Sequence, residues 1–486
     1  MTSLPESASM ITFPAAYARG NWVATADAPV VVSSPTSGEH IGEVGVAGAA
    51  EVDAAVAAAR TALHSSPWCD TSATDRATAL QRLADALTVR KAMLADLATS
   101  EIGSPRSWST FGQVLTSIGV LRAYARITPD YPFESTRLSA TGGTVDVRQV
   151  PVGVVGAIIP WNTPLFIAAL KLGPALAAGC TVVLKPAPDA PLSIGVLTEA
   201  VEEAGLPPGV VNVVNGGAGT GEHLVSHPDV DKISFTGSTA VGAQIAAACG
   251  ARIRRCSTEL GGKSAAVVLP DAPLDPTVSG LVSGVMGNNG QLCAALNRIL
   301  LPRSRYDEFI TAFTTAVAKL KVGDPADRST DIGPLINEAA RNRVEGFLDR
   351  ARRDGATVLT GGERTAGPGW FMTPAVVAAS NDMEIAREEV FGPVAVVIGY
   401  DDDTGDCAAV DIANDSRYGL VGAVWSADSD RAAAVAGQLR AGSVAINSTA
   451  VLDFGSPFGG FKQSGIGREG GPEGIAGFVE YQAIIK

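Results

Sequence analysis

The sequence predicts an α/β protein whose parallel sheets are divided among more than one structural unit. Three observations carry this. The chain has 486 residues, and a single core rarely grows past about 250–300 residues. From Val152 onward, short β-rich runs (Gly153–Ile159, Thr181–Leu184, Val210–Val214, Lys232–Phe235) alternate with helical segments such as Leu192–Ala204 and Gly221–Ser226, the pattern of a parallel sheet flanked by helices. A second alternating set runs from Ser264 to Asn447 and includes Ala265–Leu269, Ala395–Tyr400 and Ser443–Ile446.

The flanking regions read differently. Ala49–Leu63 is Ala-rich and helical in period, and Leu80, Leu83, Leu87, Leu94 and Leu97 fall on one stripe of a long helix. Over Gly142–Val150 the pattern becomes two-faced, with Val145 and Val147 opposite Asp146 and Arg148; Thr136–Ala140 supplies a hairpin partner. Phe478–Ile485 alternates again and is an exposed strand unless paired, which suggests strand exchange between subunits.

Composition narrows the function. With 46% hydrophobic and 18% charged residues the chain is ordinary for a globular protein, and its 54 glycines and 29 prolines follow no period. A net charge of −13 repels phosphate backbones and argues against nucleic acid as a partner. No two of the six cysteines form a CxxC pair, and the four histidines stand at no metal-ligand spacing. Neither a structural metal nor a disulfide framework is expected, and a reducing compartment fits. The N-terminal twenty residues lack a basic and an apolar region of the signal-peptide kind. The apolar stretch Val152–Leu184 is interrupted by Asn162, Pro164, Lys171 and Pro174, too soon for the ~20 residues that span a bilayer. The expected location is cytoplasmic, with no membrane contact.

Chemistry enters at three places. Asn289-Gly290-Gln291-Leu292-Cys293 presents a thiol after a glycine, an arrangement that alone most often marks a core cysteine. Thr258-Glu259-Leu260-Gly261-Gly262-Lys263-Ser264 adds a carboxylate beside a glycine pair that lets backbone approach closely, and Pro160-Trp161-Asn162-Thr163-Pro164 adds an amide held between prolines. Thiol, carboxylate and rigid amide donor are the parts that acyl chemistry needs.

These motifs resemble those of the aldehyde dehydrogenase superfamily. So, in order and spacing, do Leu184–Pro188, Ser234–Gly242, Glu388–Val394 and Ser456–Gly465. The resemblance implies oxidation of an aldehyde to the carboxylic acid by a cysteine thiohemiacetal, hydride transfer to NAD(P)+ and thioester hydrolysis. Cys293 would be the nucleophile, Glu259 the base that activates water, and Asn162 a donor to the oxyanion, with Lys171 near the active site. For the cofactor it implies Ile158, Trp161, Lys185, Gly221, Gly237, Ser238, Gly242, Leu260, Glu389 and Phe391. Many NAD-preferring relatives carry a glutamate three residues after the matching lysine. Pro188 stands there in this chain, so NAD+ is favoured with NADP+ possible. Ile167, Leu170, Leu292, Ala294, Leu452, Phe454 and Phe458 would line an apolar substrate tunnel suited to a medium-sized apolar aldehyde.

The implied architecture is a Rossmann-like cofactor domain (1–130 and 152–261), an α/β catalytic domain (262–472) and a small β oligomerisation arm (131–151 and 473–486), assembled as a homodimer or homotetramer. Two other readings share motifs. A CoA-acylating enzyme of this superfamily usually lacks the carboxylate that Glu259 matches, and a non-catalytic relative tends to lose the nucleophile or the base.

Overall fold

The computed structural model describes residues 10–25, 28–403 and 405–486; the first nine residues of the N-terminal stretch read above lie outside it. Two large sheets carry the molecule. The first has eight strands, and its five central ones are parallel, ordered Arg255–Glu259, Lys232–Thr236, Val154–Ile158, Thr181–Lys185 and Val211–Val214. From Val154–Ile158 the chain moves outward one way through two strands, then returns and moves the other way through two more. This order produces a switch point between Val154–Ile158 and Lys232–Thr236, where the crossovers diverge and leave a crevice at the carboxyl ends of the strands. The second sheet has seven strands, of which Ala375–Ala378, Val394–Tyr400, Arg298–Pro302, Ala265–Val268, Val421–Trp425 and Ser443–Ile446 run parallel. Strands buried on both faces need apolar runs without alternation, as AVV and VAVVI supply here. Gly465–Ile466 returns to the first sheet and pairs antiparallel with Arg255–Glu259.

The arm region forms its own three-stranded sheet. Glu134–Leu138 and Thr144–Pro151 make the expected hairpin, two residues earlier on its first strand than the alternation suggested. The C-terminal strand Val479–Ile485 pairs antiparallel along Thr144–Pro151, from Val479 opposite Pro151 to Ile485 opposite Val145. The tail is therefore paired along one edge within its own chain and stands at the edge of this sheet.

The leucine stripe also needs correction, because it lies on two helices, Ala73–Val89 and Lys91–Ile102, instead of one. The chain leaves helical geometry at Arg90 (φ −90°, ψ 3°), whose N–H closes the first helix on Leu87 O. Leu80, Leu83, Leu87 and Leu94 are all buried in one core, so a bend between two helices serves the same stripe. Ser72 caps the first helix and shares a reciprocal capping box with Asp75, an arrangement that satisfies two free N–H groups. Among the described residues, no helix is long and apolar enough to cross a membrane, and no group of side chains could hold a metal ion.

Candidate active site

The site grows from the carboxyl ends of the first sheet. A cavity of about 910 Å³ opens there, lined by Ile158, Lys185, Thr236 and Glu259, each from the last residue of its strand. Glu259 is 4% exposed, and neither carboxylate oxygen has a hydrogen-bond partner. Burial, then the charge of Glu469, pushes its carboxyl well above the usual carboxylate range, while Lys171 and Arg468 oppose the shift. A carboxyl raised in this way suits a general base that must hold a proton near neutral pH.

Cys293 reaches the same cavity from the second sheet's side. The turn before it places Asn288 and Asn289 in the left-handed region (φ 51° and 59°), followed by Gly290 at φ 70°. Positive φ at two non-glycine residues is costly and is sustained only where surroundings over-determine it. Here Asn289 Nδ2 donates to Gly103 O and Pro334 O while its Oδ1 accepts from Gly333 N–H, and Gln291 Oε1 accepts from Ile336 N–H. A Cβ on Gly290 would sit 2.1 Å from Gly392 O. The glycine pair after Glu259 acts as the sequence suggested: a Cβ on Gly262 would come within 2.5 Å of Cys293 O, so only glycine lets the Glu259 strand pass this close to the nucleophile. Burial, with the charges of Glu389 and Glu259 behind it, pushes the Cys293 thiol up to about 12, against the backbone N–H groups of Cys293 and Ala294 that face the sulfur. The resting thiol is thus protonated and must give up its proton on attack.

Asn162 is buried on the same cavity, its side-chain Nδ2 donating to Gln291 O at 2.8 Å. Its backbone carbonyl accepts from Gln113 Nε2 and Asn288 Nδ2, at 2.9 and 3.1 Å. The amide is therefore fixed from both ends, as a preorganised donor must be. Lys171 does not face the cavity. It is 1% exposed and donates from Nζ to Glu469 Oε1 (2.8 Å) and Ser234 Oγ (3.1 Å). Removing one partner of such a pair typically costs ~3–5 kcal/mol. Lys171→Met is expected to lower unfolding stability in urea by about that amount and to push the Glu259 carboxyl still higher, visible as an alkaline shift of the activity profile. A variant with unchanged midpoint and unchanged profile would assign the pair no part in either.

Nine of the ten expected cofactor residues line the cavity: Ile158, Trp161, Lys185, Gly221, Gly237, Ser238, Leu260, Glu389 and Phe391. The tenth, Gly242, lies beneath it, where a Cβ would meet Leu260 Cδ2 at 2.3 Å, so the helix Thr239–Gly250 can pack against the strand end. The residues present fit a dinucleotide. Ser238 caps that helix through Val241 N–H, and Thr236 and Thr239 beside it have buried hydroxyls without partners, which leaves donors and a helix N-terminus for a pyrophosphate. Lys185 is pulled down to about 8 by burial and has only Pro186 O as acceptor. Glu389 is pushed up to about 7 by burial and accepts from Gly262 N–H. Phe391 stands edge-on to Trp161 (5.5 Å between rings) and holds a positive φ of 61°.

Of the expected substrate-tunnel residues, Ile167 lines this cavity. Leu170 is 1% exposed in the core, and Phe458 is buried, while Leu292, Ala294, Leu452 and Phe454 are half-buried. Phe454 lies against Gly119, and Leu292 near Gly287 together with Trp108. Sequence reading missed Gln113, Asn288, Glu222, Arg343 and Glu469. Arg343, on the helix Glu338–Arg353, lines the cavity and donates to the backbone carbonyls of Glu389 and Val390.

A Rossmann-type crevice facing a half-buried thiol, an amide donor and a carboxylate without a hydrogen-bond partner among the described residues is the frame of a dinucleotide-linked oxidoreductase. The aldehyde dehydrogenase family model matches residues 22–484. Geranial dehydrogenase of Castellaniella defragrans is 44% identical over 471 residues, 96% of this chain and 98% of that protein. The 3-succinoylsemialdehyde-pyridine dehydrogenase of a Pseudomonas species is 40% identical, over 96% and 98%. Among solved structures, the Mycobacterium tuberculosis aldehyde dehydrogenase complexed with NAD+ superposes at a TM-score of 0.95 with 43% identity, over 98% of this chain and 99% of that one. A mutant of aldehyde dehydrogenase C from Pseudomonas syringae, complexed with NAD+ and octanal, superposes at 0.92 with 38% identity, over 97% and 96%. The chain belongs to the aldehyde dehydrogenase family and is an oxidoreductase that converts an aldehyde to the acid.

Proposed function

We propose that this chain oxidises a medium-sized apolar aldehyde with NAD+, through a thioester on Cys293 that Glu259 helps to hydrolyse. The observation that carries the reading is the single cavity onto which Cys293, Asn162 and Glu259 all open. The Cys293 sulfur adds to the aldehyde carbon as its S–H bond breaks and the proton passes to solvent water at the cavity mouth. The developing alkoxide takes hydrogen bonds from Asn162 Nδ2 and the Cys293 N–H, each such donor being worth ~10²–10³ in rate. To serve, Asn162 must exchange its resting bond to Gln291 O for the oxyanion. The dinucleotide, when bound, supplies the acceptor for the hydride. Glu259 then draws a proton from water, which attacks the thioester and frees the acid and the thiol.

Lys185 would hold the adenosine ribose, Ser238 the pyrophosphate, Glu389 the nicotinamide ribose, and Trp161 and Phe391 the ring end. NAD+ is preferred in this reading because Glu222 lines the cavity next to Gly221, itself packed near Lys185 Cδ. A carboxylate there opposes a 2′-phosphate although Pro188 does not. An apolar substrate accords with Ile167 on the cavity wall, and in this reading Leu292, Ala294, Leu452, Phe454 and Phe458 extend the tunnel while Leu170 backs it from the core. It accords too with a relative named for geranial and a solved relative complexed with octanal. We further read residues 1–130 with 152–261 as the cofactor domain, 262–472 as the catalytic domain, and 131–151 with 473–486 as the arm of a cytoplasmic homodimer or homotetramer.

NADH appearance followed by absorbance across an aldehyde panel tests this. Apolar aldehydes of medium length should give the highest kcat/KM, with NAD+ above NADP+ and no need for CoA. Preference for acid-bearing semialdehydes would overturn the substrate assignment, and strict CoA dependence would move the chain to the acylating subclass.

A further inference from the structure

The helix Thr239–Gly250 and the strand Arg255–Glu259 both have one end at the cofactor cavity. Their other ends meet in a tight turn. Arg252 and Arg254 N–H groups donate to Cys249 O at 3.1 and 2.9 Å, folding the chain back so that Cys256 returns beside Cys249. Both belong to one apolar cluster, Cys249 at 1% exposure and Cys256 half-buried against it. The turn thus seats both side chains on the same cluster, and Lys232, from the adjacent strand, adds positive charge beside them.

We propose that Cys249 and Cys256 form a dithiol oxidation site, at which a peroxide converts the pair to a disulfide. The site is separate from the catalytic thiol and does not depend on the function assigned above. Its asymmetry sets the order of steps. Hydrogen bonding from the Cys249 thiol, reinforced by Lys232, pulls the Cys256 thiol down to about 6 against the effect of burial, while Cys249 is pushed up and stays protonated. The thiolate is the reactive form of a cysteine. Cys256 sulfur attacks one oxygen of hydrogen peroxide, the O–O bond breaks, and hydroxide leaves to become water. Cys249 then loses its proton, attacks the Cys256 sulfenic acid sulfur and displaces a second hydroxide, which leaves as water. Two thiols and one peroxide give one disulfide and two waters, with two electrons passing from sulfur to peroxide. The competing thiols are held back: half-buried Cys293 is pushed up to about 12 and buried Cys180 to about 11, chiefly by desolvation.

The test uses the whole protein treated with equimolar hydrogen peroxide, alkylated, and digested without reduction for mass spectrometry. The expected product is a Cys249–Cys256 cross-linked peptide, two hydrogens lighter than the reduced pair and reversed by dithiothreitol. Cys256→Ser should give none. In Cys249→Ser the oxidation should stop at a Cys256 sulfenic acid that dimedone captures. Recovery of both residues as alkylated thiols, with the oxidation on Cys69, Cys293 or Cys407, overturns the proposal. That wild-type result is decisive whether or not either variant folds.

Discussion

Cys293→Ala is expected to remove aldehyde-dependent NADH formation by at least ~10⁴-fold, because among the described residues no other thiol lines the cavity. The five cysteines outside the site cannot substitute: Cys180 and Cys249 are buried in the core, Cys256 is half-buried against the Cys249 cluster, and Cys69 and Cys407 are exposed elsewhere. Truncation to alanine leaves the cofactor contacts in place, so NAD+ should still bind, read as quenching of tryptophan fluorescence with Trp161 on the cavity wall. Loss of turnover with retained binding places Cys293 in the chemical step. Residual turnover within tenfold of wild type would sink the thioester mechanism.

Glu259→Gln separates the two halves of the reaction. Addition to Cys293 and oxidation should proceed, giving a burst of about one NADH per active site, and steady turnover should then fall by ~10²–10⁴-fold. Wild-type turnover should rise with pH through a limb set above the ordinary carboxylate range, since burial and Glu469 raise the Glu259 carboxyl. Below that limb the group is protonated and cannot accept a proton from water; the glutamine variant should lack the limb. The same shift bears on stability with the opposite sign. A carboxyl whose folded value is raised ionises first in the unfolded chain, so it costs stability as pH rises above the unfolded value. At neutral pH Glu259→Gln should therefore melt higher than wild type while turning over far more slowly. Absence of a burst would mean that Glu259 is needed before the thioester forms.

Much of this site could be read in the sequence, because many of its parts sit at strand ends closely followed by glycine or proline. Lys185, Gly237 and Glu259 each announce a β-rich run stopping at a chemically marked residue. The second carboxylate behind Glu259 could not be read so. Glu469 lies in the glycine-rich segment around Gly465–Gly471 with no period of its own, and only the fold brings it to Lys171, three hundred residues earlier in the chain. Gln113 is hidden for another reason. It lies on a π-helical stretch, Ser109–Leu115, whose wider turn departs from the period that helix recognition relies on. The N-terminal strands Ile11–Phe13, Ala16–Ala18 and Asn21–Val23 have three residues each, too few to display alternation. The leucine stripe deceived for the opposite reason, since its spacing survives the bend at Arg90.

The three-stranded sheet sets an order of events at the ribosome. Its hairpin, Glu134–Pro151, emerges early, but the strand that completes it, Val479–Ile485, follows only after the whole of both large sheets. Through most of synthesis, at ~5–20 residues per second, Thr144–Pro151 keeps one edge of backbone N–H and C=O groups open. Whatever shields that edge in the nascent chain, the finished sheet is a seal that forms only once Val479–Ile485 has emerged. A chain that terminates early would carry an intact set of chemical groups and an exposed edge, a substrate for chaperones and proteases.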